Sequence, residues 1–206
     1  MALQNRVSPT GEIITSPARG AWMGNRGGAL HRPDRTLTKR RWVTKSWIIC
    51  QLSFKDRHRT VMSPGRYTEL FFLDEATAYA AGHRPCAECR RAEFDRFRMR
   101  WAELHGQTSR AYVKNIDTKL HGERVDRGRA KRIHSLPIDS LPDGVFVLWH
   151  QIPHVVLADM LYPWRPKGYG TPVARPANQL VQVLTPPSLV GVIAIQGSPQ
   201  IDPSAG

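Results

Sequence analysis

The sequence is poor in cysteine and has no long apolar segment. Three cysteines in 206 residues are too few for the dense disulfide framework of a small secreted domain. No apolar run approaches the roughly 18 residues that a transmembrane helix requires, and residues 1–19 lack the apolar core of a signal peptide. These absences favour a protein of the reducing cytoplasm without membrane association. In that compartment, paired cysteines more often hold a metal or perform redox chemistry than form a structural bridge.

Several catalytic signatures are also absent. Residues 20–41 are rich in glycine, but they contain no GxxxxGK[ST] phosphate loop and no helical pattern follows them. Ser188 follows two prolines and does not stand in a Gly-x-Ser-x-Gly turn, so it indicates the start of a helix rather than a nucleophile. No spacing in the chain matches a known nuclease motif. The sequence therefore does not indicate a particular reaction.

Acidic side chains are scarce relative to basic ones in the first 145 residues. Lys and Arg outnumber Asp and Glu there by 27 to 15, whereas the rest of the chain has three basic and two acidic side chains. The net charge of +13 is thus concentrated in one part of the chain. This asymmetry favours a polyanionic partner, with nucleic acid first, although a solubilising surface would have the same composition.

The order of predicted elements indicates an α+β fold, in which a zinc-knuckle region of short strands and helices precedes a small β-rich C-terminal part. A chain of this length forms one domain, or one domain with a smaller appendage. The segment 47–62 predicts a β-hairpin. The expected divisions are a disordered leader over 1–19, a basic metal-binding region over 20–135, the β-rich part over 136–196 and a tail over 197–206.

Two helices are predicted on either side of Gly82. Asp74 is a suitable N-cap for a short alanine-rich helix, which Gly82 ends. A second helix is expected to begin at Ala87. One of its faces carries apolar side chains at helical spacing, which predicts core packing rather than stacking on bases. These side chains are Phe94, Phe97, Trp101 and Leu104.

Cys86 and Cys89 form a Cys-x2-Cys pair at the start of this second helix. A thioredoxin-like redox pair would follow a strand directly, and a haem attachment site would need histidine at position 90, where arginine stands. Two thiolates at this spacing can instead bind one tetrahedral Zn²⁺. Pro85 stiffens the approach to the turn, and the N-terminus of the helix stabilises thiolate charge. The pair therefore predicts half of a metal site.

The run FFLDEATAYAAGHRPCAECRR, residues 71–91, resembles the second half of the Ada-type zinc-binding module. In that family a strand, a short helix and an RPCxxC knuckle follow in this order, and the first half of the site is Cys-x3-Cys or, in related nuclease-attached modules, His-x3-Cys. The resemblance implies zinc and a contact with DNA. In this chain the segment ALHRPDRTL has His31 at the first ligand position and Arg35 at the position of the second cysteine. Because no thiol stands there, methyl transfer to that position is not expected.

The sequence alone does not decide which residues supply the other metal ligands. Cys50 is the only other cysteine, but in the apolar run WIICQL it could equally be a small buried residue. His58, in the turn KDRHR, is the alternative, and His31 depends on the resemblance. The chain also resembles a group of bacterial proteins that share GNRGG and GHRPC segments, which implies one integrated unit but no activity. The expected ligands of Zn²⁺ are Cys86, Cys89, His31 and Cys50.

Basic residues beside these elements are expected to contact nucleic acid, with DNA preferred to RNA. Two alternatives from other classes remain open. One is a metal-containing enzyme that acts on nucleic acid or nucleotides, with His121 and His134 among its catalytic residues. The other is a protein-interaction module, and the sequence does not indicate an oligomeric state. The expected nucleic-acid contacts are Lys39, Arg40, Arg41, Arg84, Arg90 and Arg91.

Overall fold

Two β-sheets and four α-helices form within residues 2–56 and 60–206, which the computed structural model describes, and they confirm the α+β fold. The first sheet contains β1 (Gln4–Val7), β2 (Ile13–Thr15), β3 (Trp22–Asn25), β4 (Ile48–Cys50), β5 (Leu70–Phe72) and β6 (Arg84–Pro85). The second contains β7 (His134–Pro137), β8 (Phe146–Trp149), β9 (Ile152–Leu157), β10 (Met160–Arg165), β11 (Gly168–Tyr169), β12 (Val173–Ala174) and β13 (Leu180–Val183). The helices are α1 (Glu75–Ala80), α2 (Arg91–Leu104), α3 (Val113–Arg124) and α4 (Pro187–Gln196).

The strand order of the first sheet is β2-β1-β5-β3-β4-β6. The pairs β1–β5 and β4–β6 are parallel, and the other pairs of this sheet are antiparallel. β4 therefore pairs with β3 and β6, and the hairpin expected over 47–62 does not form. Residues 61 and 62 form a turn instead of a returning strand, and residues 57–59 of the expected hairpin lie outside the described residues. The prediction was wrong because both true partners of β4 are distant in the sequence.

The second sheet has the order β11-β10-β9-β8-β13-β7, with β12 beside β10, and its pairs are antiparallel. The β-rich C-terminal part that the sequence predicts contains β8, β9 and β13 among its strands. β7 crosses the expected boundary at 135–136. One hydrophobic core contains Ile49 and Phe72 of the first sheet together with Val147 and Val156 of the second. The two parts of the chain are therefore packed as one body.

The leader and the tail are more ordered than the sequence predicts. Residues 1–19 contain β1 and β2, and the side chains of Val7 and Ile13 are buried in the core. In the tail, the backbone N–H of Asp202 donates to Asp74 Oδ2 at 3.0 Å. Trp22 Nε1 donates to the side-chain oxygen of Gln200 at 2.8 Å. The disordered leader was thus a wrong prediction, because few apolar side chains suffice when a neighbouring strand provides the hydrogen bonds.

The segment before the metal site follows its local signals closely. Asp74 Oδ1 accepts a hydrogen bond from the backbone N–H of Thr77 at 2.7 Å and caps α1. Gly82 ends this helical segment with φ +85°, and a Cβ atom there would lie 2.6 Å from Arg124 Cδ. Helix α2 begins at Arg91 rather than Ala87, so residues 87–90 form a turn. Three of the four predicted apolar side chains of α2 are buried, namely Phe94, Phe97 and Trp101.

No helix in the described part of the chain is both long and apolar enough to cross a membrane.

Candidate metal centre

A short parallel ladder between β4 and β6 brings two cysteines together. Ile48 pairs with Arg84 and Ile49 pairs with Pro85, and the backbone N–H of Cys86 donates to the carbonyl of Ile49 at 2.9 Å. Cys50 and Cys86 are the next residues along the two strands. They lie side by side because parallel neighbours advance in the same direction along the sheet.

The tight turn after Cys86 returns Cys89 to the same place. The backbone N–H of Arg90 donates to the carbonyl of Cys86 at 3.3 Å, which closes the turn before α2. The Sγ atoms of Cys50, Cys86 and Cys89 all lie within 4.8 Å of one another, and none of the three thiols is in a disulfide. A tetrahedral Zn²⁺ with Zn–S bonds of about 2.3 Å requires sulfur atoms about 3.8 Å apart. The arrangement therefore fits three ligands of one metal ion.

Backbone N–H groups point at the sulfur atoms. The N–H of Glu88 donates to Cys86 Sγ at 3.4 Å. The N–H groups of Cys89 and Gln51 also act to lower the pKa of the Cys86 thiol and of the Cys89 thiol, respectively. Such donors stabilise negative charge on sulfur, because a hydrogen bond to the charged form favours that form. The surroundings thus suit thiolates, which are the species that bind metal.

The pKa values of the three thiols are shifted in different directions. The hydrogen bond with Cys86 is the main cause that raises the pKa of Cys50, and burial of Cys50 acts in the same direction. The hydrogen bond that Cys50 donates lowers the pKa of Cys86 to about 5 and also lowers the pKa of Cys89. In the metal-free protein Cys50 is therefore the proton donor of the group. A metal ion would displace that proton, because a coordinating thiol is deprotonated.

An open cavity adjoins the thiols. It has a volume of about 530 Å³, and all three cysteines contribute to its wall. Apolar side chains line it, among them Met23 and Phe71, together with polar groups that include Gln51. A small molecule or an extruded base could approach a metal ion from this side. A catalytic zinc site differs from a closed structural one in having such an open position.

His31, which was expected as a ligand, lies outside the cysteine group. Its Nδ1 is 2.6 Å from the hydroxyl of Thr68, and its Nε2 is 3.2 Å from the carbonyl oxygen of Ser63. Both ring nitrogens therefore serve to hold the loop after β3. His58 lies outside the described residues. Among the described residues, no fourth histidine, cysteine, aspartate or glutamate joins Cys50, Cys86 and Cys89.

Two of the predicted nucleic-acid contacts are buried in ion pairs. Arg84 is 3% exposed and makes two hydrogen bonds of 2.8 Å with the carboxylate of Asp117. Arg90 is 4% exposed and lies 2.6 Å from Glu75 Oε1. Neither guanidinium can reach a phosphate without breaking its buried pair. These two arginines hold the ends of the knuckle in place, which corrects their expected role.

The other predicted contacts remain at the surface. Lys39, Arg40 and Arg41 are exposed in the segment between β3 and β4. Arg91 is exposed as well, although its Nε donates to Asp95 Oδ2 at 2.8 Å. The basic surface defined by Lys39, Arg40 and Arg41 is therefore accessible to a polyanion.

Sequence reasoning missed a second set of basic residues. Arg26 and Arg124 are each 1% exposed, and both guanidinium groups lie over the ring of Trp47. Arg26 belongs to the glycine-rich segment GNRGG, and Arg124 to a basic stretch that carries no clear periodicity. Only the fold brings them together. His121, expected in the enzyme alternative, contacts the rings of Trp42 and Trp47 and a guanidinium nitrogen of Arg124.

No protein-family model matches the chain, and neither a curated protein nor a solved structure is significantly similar to it. The cysteine group and the basic residues are therefore the features from which a function can be inferred.

Proposed function

We propose that the chain is a zinc-binding protein that contacts nucleic acid through a basic surface, without methyl-acceptor activity. The observation that carries the metal assignment is the convergence of Cys50, Cys86 and Cys89 within 4.8 Å, with the backbone N–H of Glu88 directed at Cys86 Sγ. Three thiolates suit zinc better than magnesium or calcium, which prefer oxygen ligands. The similarity of the knuckle to the Ada-type module supports the same metal. A reducing compartment such as the cytoplasm would keep the thiols available.

The nucleic-acid contact is supported by charge and position. Lys39, Arg40 and Arg41 are consecutive and exposed, and they belong to the part of the chain that carries nearly all of the net positive charge. Trp42 follows them and is partly exposed, so an aromatic ring that can stack on a base stands beside the cations. Association through such a surface is driven by the release of counterions.

A second candidate, a zinc enzyme acting on nucleic acid or nucleotides, is supported by the cavity of about 530 Å³ beside the thiols. A substrate in this cavity could complete the coordination of a metal that has three protein ligands. This function differs from binding alone in one measurable respect. An oligonucleotide incubated with the zinc-loaded protein would be converted to a product, and the Cys86→Ser variant would not convert it.

Elemental analysis of protein purified without chelator tests the metal assignment. About one zinc per chain is expected. The variants Cys50→Ser, Cys86→Ser and Cys89→Ser should each lose most of it, whereas His31→Gln should retain it because His31 lies outside the group. The variant His58→Ala shows whether this histidine supplies a fourth ligand. Preparations of the wild type without metal would contradict the proposal.

Fluorescence anisotropy with labelled oligonucleotides of DNA and RNA tests the partner. Affinity should fall steeply between low and moderate salt. The slope of log K against the logarithm of the salt concentration should become shallower by about 0.9 for each phosphate contact that is removed. The triple change of Lys39, Arg40 and Arg41 to alanine should therefore flatten the salt dependence. An exposed arginine outside this surface, changed as Arg19→Gln, serves as the control. Affinity that does not change with salt would argue against a phosphate contact.

A further inference from the structure

A second cavity, distinct from the one beside the thiols, is surrounded by cations. Its volume is about 260 Å³, and it lies between the loop after β3, the residues before β4 and the end of α3. One carboxylate residue, the exposed Glu12, is part of its wall. Five basic residues line it, namely Arg26, Arg41, Arg124, Arg129 and Lys131.

Two buried cations of this cavity, Arg26 and Arg124, lie over one aromatic ring. The guanidinium carbon of Arg26 lies 3.9 Å from the centre of the Trp47 ring, and that of Arg124 lies 3.8 Å from it. Arg26 donates to the carbonyl of Gly11 at 2.9 Å, and Arg124 donates to the carbonyl of Gly82 at 2.7 Å. Neutral carbonyl groups orient these guanidinium groups but do not neutralise them. The buried Nε of Arg124 has no hydrogen-bond partner among the described residues.

Lys131 adds a third basic group to the wall of the same cavity. Its Nζ donates to the carbonyl of Ala80, again a neutral acceptor. Burial, followed by the charges of Arg124 and Arg26, lowers the pKa of Lys131 to about 7. The same two causes, burial and a neighbouring arginine, lower the pKa of Arg26 to about 9. These groups repel one another in the absence of an anion.

The protein offers little negative charge to balance them. The charge of Asp117 acts on Arg124, but both oxygens of this carboxylate are engaged by Arg84. Within residues 2–56 and 60–206, no ion pair joins any of the five lining cations to a carboxylate. Buried cations are normally paired, because removing a charge from water is costly. An external anion would supply the missing partner.

A neighbouring cavity of about 360 Å³ shares part of its wall with this one. Arg41, Trp42 and Arg129 line both cavities, and Arg40 is added in the outer one. A ligand with an anionic end could place that end among the inner cations, while an adjoining base or sugar lies against Trp42. Trp and Arg side chains both stack on bases.

We infer that this cavity binds the terminal phosphoryl group of a phosphate monoester. A terminal phosphoryl group has three free oxygens and projects from its molecule, so it can enter a recess that the flanking sugars keep an internal phosphodiester from entering. The group could belong to a nucleic-acid end or to a free nucleotide, which share this chemistry. Binding of a nucleic-acid end rests on the proposed function, whereas binding of a free nucleotide does not.

Paired ligands that differ only in the terminal phosphate test the inference on zinc-loaded protein. The first pair is a labelled oligodeoxynucleotide with a 5′-phosphate or with a 5′-hydroxyl. The second pair is AMP and adenosine, whose binding is measured by calorimetry. Inorganic phosphate serves as a competitor in the experiments on both pairs. A preference of about tenfold or more for the phosphorylated member is expected, the size that one or two charge-assisted hydrogen bonds produce.

Variants locate the preference in the cavity. Lys131→Gln and Arg41→Gln each remove a cation while keeping a polar side chain, and each should lower the preference several-fold. Arg19→Gln removes the same charge at an exposed position that does not line the cavity, and it should leave the preference unchanged. Circular dichroism and thermal unfolding of each variant confirm that it is folded.

The outcomes separate the inference from the nucleic-acid proposal. A preference for AMP over adenosine without oligonucleotide binding supports the cavity and refutes the nucleic-acid contact. Oligonucleotide binding that ignores the 5′-phosphate, together with no effect of inorganic phosphate, refutes the cavity. A preference that survives both Lys131→Gln and Arg41→Gln also refutes it, because the phosphate would then bind elsewhere.

Discussion

The protonation of His83 connects the cation cluster to a measurable pH dependence of stability. His83 is fully buried, and its Nε2 accepts a hydrogen bond from Arg26 Nε at 3.3 Å. Its ring contacts those of Trp47 and Phe72. Burial, and then the charges of Arg26 and Arg124, hold the pKa of His83 well below its ordinary value of 6.5. The folded protein therefore keeps this ring neutral in mildly acidic solution, whereas the unfolded chain does not.

The sign and size of the effect follow from this difference. Below about pH 6.5 the unfolded state binds one more proton than the folded state, so the free energy of unfolding falls as the pH falls. One proton contributes about 1.4 kcal/mol per pH unit. His83 should therefore remove up to about 1.4 kcal/mol of stability for each pH unit below about 6.5. The loss continues to lower pH until the folded pKa is reached.

Urea unfolding, followed by tryptophan fluorescence at several pH values, measures this contribution. The variant His83→Gln lacks the titrating ring, so its free energy of unfolding should depend less on pH than that of the wild type, by up to about 1.4 kcal/mol for each pH unit below about 6.5. Phosphate-free buffers are needed because phosphate is the ligand proposed for the adjacent cavity. Both proteins should carry the same amount of metal, so that the pH dependence of thiolate binding cancels in the difference.

The variant Ile49→Val is the matched control. Ile49 is fully buried in the same core, and the loss of one methyl group should lower stability by about 1 kcal/mol at every pH. Its curve should therefore run parallel to that of the wild type. If the curve of His83→Gln were also parallel, the ring would be protonated to the same extent in both states, and the account of a neutral His83 between two arginines would be refuted.

Two further predictions concern the elements that hold the metal site. Asp117→Asn leaves the buried guanidinium of Arg84 without its carboxylate, so urea unfolding should show that the free energy of unfolding falls by about 3–5 kcal/mol. The control Arg91→Ala breaks an exposed ion pair and should lower it by less than about 1 kcal/mol. Equal losses in the two variants would contradict the burial argument. Gly24→Ala would place a Cβ atom 2.1 Å from the carbonyl oxygen of Ile48, which should displace β4 and lower the zinc content of purified protein. Gly65→Ala, whose φ is +70° with no atom within 4 Å of the added Cβ, is the control, and it should lower stability without lowering zinc content.

Local signals in the sequence were sufficient for the elements around the knuckle. The N-cap at Asp74, the left-handed glycine at 82 and the apolar spacing of α2 each act within a few residues, so they could be read without the fold. The Cys-x2-Cys pair was equally local. Its two thiols do lie together with the third cysteine of the chain.

Long-range pairing could not be read in the same way. Cys50 reaches the knuckle because β4 pairs with β6, which is more than thirty residues away in the chain. A parallel pair has no turn that fixes its register, and WIICQL fits a core strand as well as a ligand strand. The resemblance suggested His31 by position, but its ring is hydrogen-bonded to Thr68 and Ser63 instead. Burial of Arg84 and Arg90 likewise depends on acidic partners from α3 and α1.

The same two short strands define both candidate sites. At one end of the β4–β6 ladder stand Trp47 and His83, with ring centres 5.1 Å apart, and they form the base on which the cations rest. At the other end stand Cys50 and Cys86. Three residues of extended chain separate the ends, a distance of about 10 Å. A metal ion that fixes the register of Cys50 against Cys86 therefore also fixes Trp47 against His83, so loss of the metal should loosen the cation cavity even though no cysteine lines it.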